Sequence, residues 1–181
     1  MLEEKVREWE KGSANPIPDS KYERYKEKLV ELSKEYPERN LMLFLLARAT
    51  GYRMQDIITL TVGEIKDALD KGYFEIQEQK QYKQWQSEVA KNPNRRKPKK
   101  RIAEIGPALE KHLKQYLKGK KRSEFAFPSR KGKGNEALTQ KSYSDKLKEV
   151  GKAIGLEHIT GHSPRKTYAT KIYTETNGNL E

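Results

Sequence analysis

The run of six apolar residues from Leu41 to Leu46 constrains the fold of this chain more than any other feature. Only 34% of the 181 residues are hydrophobic and 35% are charged, so the core has to be economical. The run predicts a strongly apolar helix from about Glu38 to Thr50, which Gly51 can end as a left-handed C-terminal cap. Because so apolar a segment does not stay disordered, we expect a folded domain of moderate size.

The remaining sequence predicts a mainly helical protein with one small antiparallel β-hairpin, an α+β fold class. The predicted helices cover about residues 1–11, 19–36, 38–50, 54–60, 107–117, 139–154 and 163–174, and the predicted strands cover 73–77 and 101–105. Residues 15–18 (Asn-Pro-Ile-Pro) are expected to form an extended linker, because proline biases its predecessor away from helix. The predicted organisation is therefore a short N-terminal segment at 1–18, made of a helix and this linker, followed by a main domain at 19–181.

Positive charge is concentrated between the two predicted strands. The chain has 38 Lys and Arg against 26 Asp and Glu, a formal net charge of +12. Residues 80–101, here called the basic insertion, contain nine of these basic residues and one acidic residue, Glu88. Such an excess favours a polyanionic partner, and a flexible insertion could follow a DNA backbone without reading its sequence. A solvated loop is the alternative. The candidate DNA contacts are Arg95, Arg96, Lys97, Lys99, Lys100 and Arg101.

Composition also disfavours several classes of protein. The chain has no cysteine, which excludes disulfides and thiolate metal sites. Its three histidines, at 112, 158 and 162, are too few to favour a histidine-rich metal site, so we expect no metal and no cofactor. The N-terminus lacks the apolar core of a signal peptide, and no apolar run approaches the ~20 residues that cross a bilayer. The cytoplasm is therefore the expected location.

The first candidate site is the segment from Thr50 to Asp56. Gly51 is expected to reverse the chain between two helices and to leave Arg53 at the start of the second helix. An arginine there presents a planar fork that matches two phosphate oxygens. Asp56 lies one turn further on, where it could orient Arg53 from behind. A capped helix corner with an ordinary surface arginine is the alternative.

The second candidate site is the His162-x-x-Arg165 motif at the start of the last predicted helix. Residues three apart share a helix face, so an imidazole that can carry protons and a fixed positive charge can converge on one ligand. That combination suits phosphoryl transfer without a metal. Tyr168 and Ile172 are spaced for packing, so Tyr168 is not expected to be a nucleophile.

The third candidate is Lys80, expected at the end of the first strand, where a lysine on a hairpin can reach into a site. Most hairpin lysines are solvated. Lys83 and Lys99 are alternatives for the same role.

These motifs together resemble the tyrosine recombinases of the phage integrase family. An arginine after a Thr-Gly turn, a lysine on a hairpin and a late His-x-x-Arg motif occur in that order in the family. The Phe-Pro-Ser element at 127–129 and the predicted helix at 139–154 are also similar to the family's sequences. The chain departs from the family at Pro164, where leucine is usual, and at Asp56, where glutamate is common.

The resemblance implies the catalytic domain of a site-specific DNA recombinase, which breaks and rejoins DNA through a 3′-phosphotyrosyl intermediate. Arg53 and Arg165 would hold the scissile phosphate, and Asp56 would support them. His162 would transfer a proton at the attacking tyrosine, and Lys80 would act as acid to the departing 5′-oxygen. The expected nucleophile lies beyond Glu181, so the chain is expected to be incomplete at its C-terminus and inactive for cleavage.

The implied partner is double-stranded DNA of the attachment-site type, in a bacterial, phage or other mobile-element setting. A complete protein would assemble as a homotetramer on DNA, and this chain alone would be monomeric. A non-catalytic DNA-binding protein remains an alternative, as does a basic RNA-binding protein, although the latter does not explain the ordered motifs. A type IB topoisomerase shares similar chemistry but fits the sequence around the motifs less well.

Overall fold

The computed structural model describes residues 13–132 and 134–178, and the helix predicted at 1–11 lies outside them. The described elements, in chain order, are α1 (Asp19–Leu32), α2 (Pro37–Thr50), α3 (Met54–Ile57), α4 (Val62–Lys71), β1 (Tyr73–Ile76), α5 (Gln79–Val89), β2 (Arg101–Glu104), α6 (Pro107–Leu117), α7 (Gln140–Ala153) and α8 (Ser163–Glu175). The predicted fold class, mainly α with one antiparallel hairpin, is confirmed. No described helix has the length and apolar character needed to span a membrane.

Helix α2 lies at the centre of the fold, as its apolar run predicts. It packs against α1, α6 and α8, and Leu43, Phe44 and Leu46 are fully buried. Burying each of these side chains contributes about 1.5–3 kcal/mol relative to leaving it exposed. Pro37 suits the first turn, and Gly51 ends the helix at φ +65° with its N–H donating to Ala47 O.

Two buried tyrosines fasten α1 and α7 around this central helix. The Tyr25 ring stacks on Phe44 at a centroid distance of 5.3 Å, and its hydroxyl donates to the carbonyl of Leu147 in α7 at 2.7 Å. The Tyr143 hydroxyl of α7 donates to Asn40 O in α2 at 2.8 Å. Because each buried hydroxyl has an acceptor, these large rings fill the core without leaving a polar group unpaired.

The two strands form an antiparallel sheet in which Tyr73 pairs with Glu104 and Ile76 pairs with Arg101. Both strands lie within the predicted ranges. The buried Tyr52, next to the end of α2, donates its hydroxyl to Arg101 O at 2.6 Å. This hydrogen bond ties the sheet to the turn that carries Arg53.

The extended segment before α1 is packed on the domain. Ile17 is buried, and its N–H donates to Thr167 Oγ1 in α8 at 2.9 Å. The N–H of Asn15 donates to His158 O at 2.8 Å. The extended conformation predicted for 15–18 is therefore found, stabilised by α8 and the loop before it.

Several predicted boundaries are wrong. The first described helix ends at Leu32 rather than near Tyr36, because Tyr36 precedes Pro37 as the N-cap residue of α2. The helix predicted at 54–60 ends at Ile57. Helix α4 was not predicted, although the Thr61 and Glu64 side chains form a reciprocal capping box at its start.

No helix was predicted in the basic insertion either. Its first half forms α5, which begins at Gln79, three residues after β1 ends. Gln, Lys and Glu have good helix propensity, which accounts for a helix in a segment with little apolar surface.

Candidate functional site

Arg53 is held at the corner between α2 and α3. It is the N-cap residue of α3, and the buried Tyr52 before it anchors the turn. Gly51 makes this corner possible, because a Cβ at its position would lie 2.2 Å from the Tyr168 ring of α8. The glycine therefore brings the corner and the first turns of α8 into contact.

Arg165 lies in the first turn of α8, which a network of short-range hydrogen bonds fixes in place. The N–H of Thr160 donates to Ser163 Oγ at 2.9 Å, and the N–H of Ser163 returns to Thr160 O at 3.0 Å. The N–H of Gly161 donates to Ser144 Oγ in α7 at 3.0 Å. These bonds give the His-x-x-Arg segment a defined orientation relative to α7.

Three arginines from separate elements converge on the carboxylate of Glu78. Arg165 Nη1 donates to Glu78 Oε1 at 2.9 Å, and Arg101 Nη1 lies 3.6 Å from the same oxygen. Arg53 Nη1 lies 2.9 Å from Oε2. The predicted arginine pair is thus brought together, by a carboxylate that was not among the predicted site residues.

The environment of Glu78 keeps it ionised. Its side chain is only 5% exposed, and burial by itself raises the pKa of a carboxyl group. The hydrogen bond from Arg165 and the charges of Arg53 and Arg165 outweigh burial, so the pKa of Glu78 lies below its ordinary value. A buried anion between arginines is the expected state of this cluster near neutral pH.

Arg101 belongs to this cluster as well as to the basic insertion. Its guanidinium donates to Gly51 O at 3.0 Å and to Thr50 O at 3.3 Å. It also lies over the rings of Tyr52 and Tyr168, at 5.4 and 5.8 Å from their centroids. Arg101 therefore binds the end of α2, in addition to the DNA contact predicted for it.

Alternation along β1 is the sequence signal that could have found Glu78. Alternate residues of a strand share a face, so residues 74, 76 and 78 point the same way while the chain stays extended. Phe74 is buried and Ile76 is half-buried. Glu78 follows Phe74 and Ile76 on this inward face, and a buried carboxylate needs a cationic partner. The strand pattern alone does not identify that partner.

Asp56 is buried beside this cluster and holds the start of α5. Its Oδ1 accepts the backbone N–H of Gln79 at 3.0 Å, whereas Oδ2 is buried without a hydrogen-bond partner among the described residues. Burial is the main cause that raises the pKa of Asp56. Its predicted role in orienting Arg53 stays a prediction, since its hydrogen bond goes to the residue that follows Glu78.

Lys80 and His162 are exposed side chains close in sequence to Glu78 and Arg165. Lys80 is in the first turn of α5 and is exposed, so its expected position at the end of a strand is wrong. The alternatives Lys83 and Lys99 are exposed too. His162 is the exposed N-cap residue of α8. The roles predicted for Lys80 and His162 stay predictions.

The part of the basic insertion that follows α5 folds back on this helix. Trp85 Nε1 donates to Arg95 O at 2.9 Å, and Lys97 Nζ lies 5.2 Å from the centroid of the Tyr82 ring. The Tyr82 and Trp85 rings contact each other at a centroid distance of 5.5 Å. The insertion therefore presents aromatic and basic side chains together. Further exposed cations on this surface are Arg96, Lys99 and Lys100.

Metal ligands are not grouped in the part of the chain that the structure describes: no three His, Cys, Asp or Glu side chains lie close enough to hold an ion.

Comparisons with known proteins agree with this arrangement. The sequence model of the phage integrase family matches residues 22–178. Among curated proteins, none is significantly similar in sequence to this chain.

Solved recombinase structures share the fold at low sequence identity. The XerH site-specific recombinase bound to its difH substrate in a pre-cleavage complex is similar over 90% of this chain and 44% of its own, with TM-score 0.62 and 20% identity. The Tn1549 transposon integrase in complex with a circular intermediate DNA is similar over 96% of this chain and 57% of its own, with TM-score 0.64 and 14% identity. The integrase of mycobacterium phage Brujita is similar over 88% and 44%, with TM-score 0.55 and 15% identity. The chain thus spans about half the length of these proteins.

Proposed function

Because the chain belongs to the phage integrase family, we propose that it is the catalytic core of a site-specific DNA recombinase. The convergence of Arg53 and Arg165 on one carboxylate is the observation that carries this proposal. Two guanidinium groups that can share one small anion are suited to hold one phosphodiester. The domain that does so corresponds to residues 19–181, with the preceding residues as helix and linker.

The chemistry follows from what a guanidinium can do at a phosphate. Negative charge grows on the non-bridging oxygens as the phosphodiester is attacked, and preorganised donors stabilise that charge. Each arginine presents parallel N–H groups that match two oxygens. Arg53 and Arg165 therefore bind the phosphate, orient it and stabilise the transition state.

The attacking group in this proposal is a tyrosine whose oxygen becomes bonded to the 3′-phosphate as the 5′-oxygen leaves. His162 is proposed to act in proton transfer at the tyrosine, and Lys80 to donate a proton to the departing 5′-oxygen. Reversal of the step on a partner duplex rejoins the strands without nucleotide energy. Tyr168 is not proposed as the nucleophile, because its ring packs on Gly51.

The proposed substrate is duplex DNA of the attachment-site type. Arg95, Arg96, Lys97, Lys99 and Lys100 of the basic insertion are proposed to hold the backbone outside the arginine site, and Arg101 to contact DNA from within that site. We propose a homotetramer on DNA for the complete recombinase, a monomer for this chain alone, and action in the cytoplasm. DNA of the host and of a mobile element would be the two partners in integration.

A binding experiment tests the arginine site directly. Arg53→Ala and Arg165→Ala are each expected to weaken binding to a labelled duplex by about tenfold or more, the scale of a hydrogen bond to a charged group. Arg24→Ala on α1 is the matched control, because it removes the same charge from an exposed pair with Glu27. Fluorescence anisotropy at one fixed salt concentration gives the comparison. Equal effects of all three variants would contradict the proposal.

A non-catalytic DNA-binding protein is the second candidate, and one observation favours it. The arginines are already paired with a buried carboxylate, an arrangement that a purely structural cluster also shows. If the cluster is purely structural, Arg165→Ala would lower stability but would leave DNA affinity close to that of the control. If the arginines hold phosphates but nothing is cut, Arg165→Ala would weaken binding, and a longer protein that includes the sequence after Glu181 would show no cleavage. Competition with duplex RNA in the same assay tests for an RNA-binding protein, which would prefer RNA.

A further inference from the structure

Glu78 occupies the place between the arginines that the proposed function assigns to a phosphate. Its Oε1 contacts Arg165 and Arg101, and its Oε2 contacts Arg53. We propose that Glu78 is an internal substitute for the scissile phosphate, an autoinhibitory contact that DNA must displace before cleavage. This inference rests on the proposed function and names how its site is regulated.

A carboxylate and a phosphodiester present similar groups to these arginines. Each offers two oxygens that share one negative charge, and arginine forks bind both kinds of anion. Exchange of one for the other therefore leaves the charge of the cluster unchanged, at three arginines against one anion. The site that Glu78 fills is matched in charge to the group that replaces it.

The pairing with Arg53 leaves room for a better ligand. Arg53 Nη1 lies 2.9 Å from Oε2, but the alignment of this ion pair is not that of a good hydrogen bond. An anion that is not attached to the chain can align with both arginines, whereas the Glu78 carboxylate is fixed to the backbone. The side chains of Arg53 and Arg165 are 24% and 31% exposed, so solvent reaches them.

Helix α5, which follows Glu78 directly, is held weakly. None of its eleven residues, all of them in the described part of the chain, is buried. Its start is attached by the Gln79 N–H to Asp56 and by the Gln79 amide to Gln55 O at 3.2 Å. Movement of α5 away from the domain exposes little apolar surface, so its displacement is governed by the ion pairs of Glu78.

The basic insertion gives DNA a way to move this helix. Lys80, Lys83 and the cations between α5 and β2 are exposed, and a DNA backbone attracts them. The same ligand therefore competes for the arginines and pulls on the segment that carries Glu78. Displacement is coupled to duplex binding, which keeps the arginine site closed until DNA is present.

Glu78→Gln tests the proposal, with Glu27→Gln as a matched control. Both variants remove one negative charge from an ion pair with arginine, but Glu27 lies on α1 in an exposed pair with Arg24, outside the site and outside the basic insertion. We expect Glu78→Gln to bind a labelled duplex about tenfold more tightly than wild type and Glu27→Gln to stay within about twofold, because a hydrogen bond to a charged group is worth about that much. An affinity of Glu78→Gln equal to that of Glu27→Gln, or weaker than wild type, would overturn the inference.

A double variant separates this inference from the proposed function. If Arg165→Ala removes the affinity gained by Glu78→Gln, both stand. If Arg165→Ala weakens binding but Glu78→Gln gives no gain, the autoinhibitory contact is refuted and the arginine site remains. If Arg165→Ala has no effect in either background, the proposed function fails.

Hydrogen exchange of the wild-type chain gives a second test that does not depend on how a variant folds. The N–H of Gln79 is bonded to Asp56 in this structure. Saturating duplex DNA is expected to speed exchange in peptides that cover residues 77–82, because withdrawal of Glu78 breaks this bond. Unchanged or slower exchange there would count against displacement.

Discussion

Gly51→Ala is expected to lower the free energy of unfolding by about 1–4.5 kcal/mol, the sum of a backbone and a packing effect. Gly51 has φ +65°, and a Cβ there would lie 2.2 Å from Cδ1 of Tyr168 and 2.6 Å from Cε1. No side-chain rotamer of alanine relieves such a clash, because it is the Cβ itself that collides. Either the Tyr168 ring or the start of α8 has to shift.

The two effects have separate magnitudes. An L-residue in the left-handed region costs about 1–2 kcal/mol, and the lower entropy of the unfolded alanine chain offsets about 0.4–1 kcal/mol of that cost. Forcing an extra methyl group into a packed site costs about 1–3 kcal/mol. The packing effect is therefore the larger of the two if the Tyr168 ring is held in place.

Gly72→Ala is the control that isolates the packing effect. Gly72 caps α4 at φ +84°, in the same left-handed region, and its Cβ would meet nothing within 4 Å. Urea unfolding followed by circular dichroism gives both free energies. We expect Gly72→Ala to cost about 1 kcal/mol and Gly51→Ala to cost clearly more. Combining Gly51→Ala with Tyr168→Ala should cost less than the two changes added, because the second change removes the ring with which the new Cβ collides.

Equal destabilisation by Gly51→Ala and Gly72→Ala would refute the reasoning. That result would mean that α8 adjusts freely to the corner of α2. The contact between Gly51 and Tyr168 would then not determine where Arg165 lies relative to Arg53.

Three further predictions concern the site and its charges. In the complete recombinase, Arg165→Ala is expected to lose roughly 2–4 kcal/mol of transition-state stabilisation in a cleavage assay. Arg165→Lys is also expected to cleave slowly, because lysine cannot present two parallel donors. Cleavage by Arg165→Ala within a few-fold of wild type would contradict the assignment. Replacing Arg95, Arg96 and Lys97 by alanine should flatten the dependence of log affinity on log salt concentration by up to ~0.9 for each phosphate that is no longer neutralised, and an unchanged slope would remove the insertion from the interface. Because the pKa of Glu78 is lowered, its ionised form stabilises the fold at pH values above the ordinary carboxyl pKa of 4.5, and this contribution is lost as the pH falls through the folded pKa. Acid unfolding of Glu78→Gln should lack this part of the pH dependence. Identical pH profiles for the variant and the wild type would contradict the prediction.

The sequence was most informative where burial and local pattern agree. The apolar run of α2 and its glycine cap predicted the central helix, and alternating residues predicted both strands. The positions of Arg53 and Arg165 at helix starts were predicted from short motifs, which specify helix ends well, whereas their convergence on one anion was expected only from the family resemblance. These features depend on residues close together in the chain.

The features that the sequence did not reveal depend on long-range contacts or on weak burial. Helix α5 buries no side chain, so no apolar period marks it. The pairing of Glu78 with three arginines is fixed only when α2, β2 and α8 meet, and no local pattern encodes that meeting. Helix α4 is different, because Thr61 and Glu64 form a capping box that was readable from the sequence and was missed.

The pairing of Glu78 with the arginines also determines what salt can report about this protein. A phosphate that replaces Glu78 exchanges a fixed anion for another, so few mobile counterions leave Arg53 and Arg165. Counterions leave instead from exposed cations such as Arg96 and Lys99. The slope of log affinity against log salt concentration therefore measures the contacts of the exposed cations with the DNA backbone. The affinity that remains at high salt measures how well the phosphate binds between the arginines.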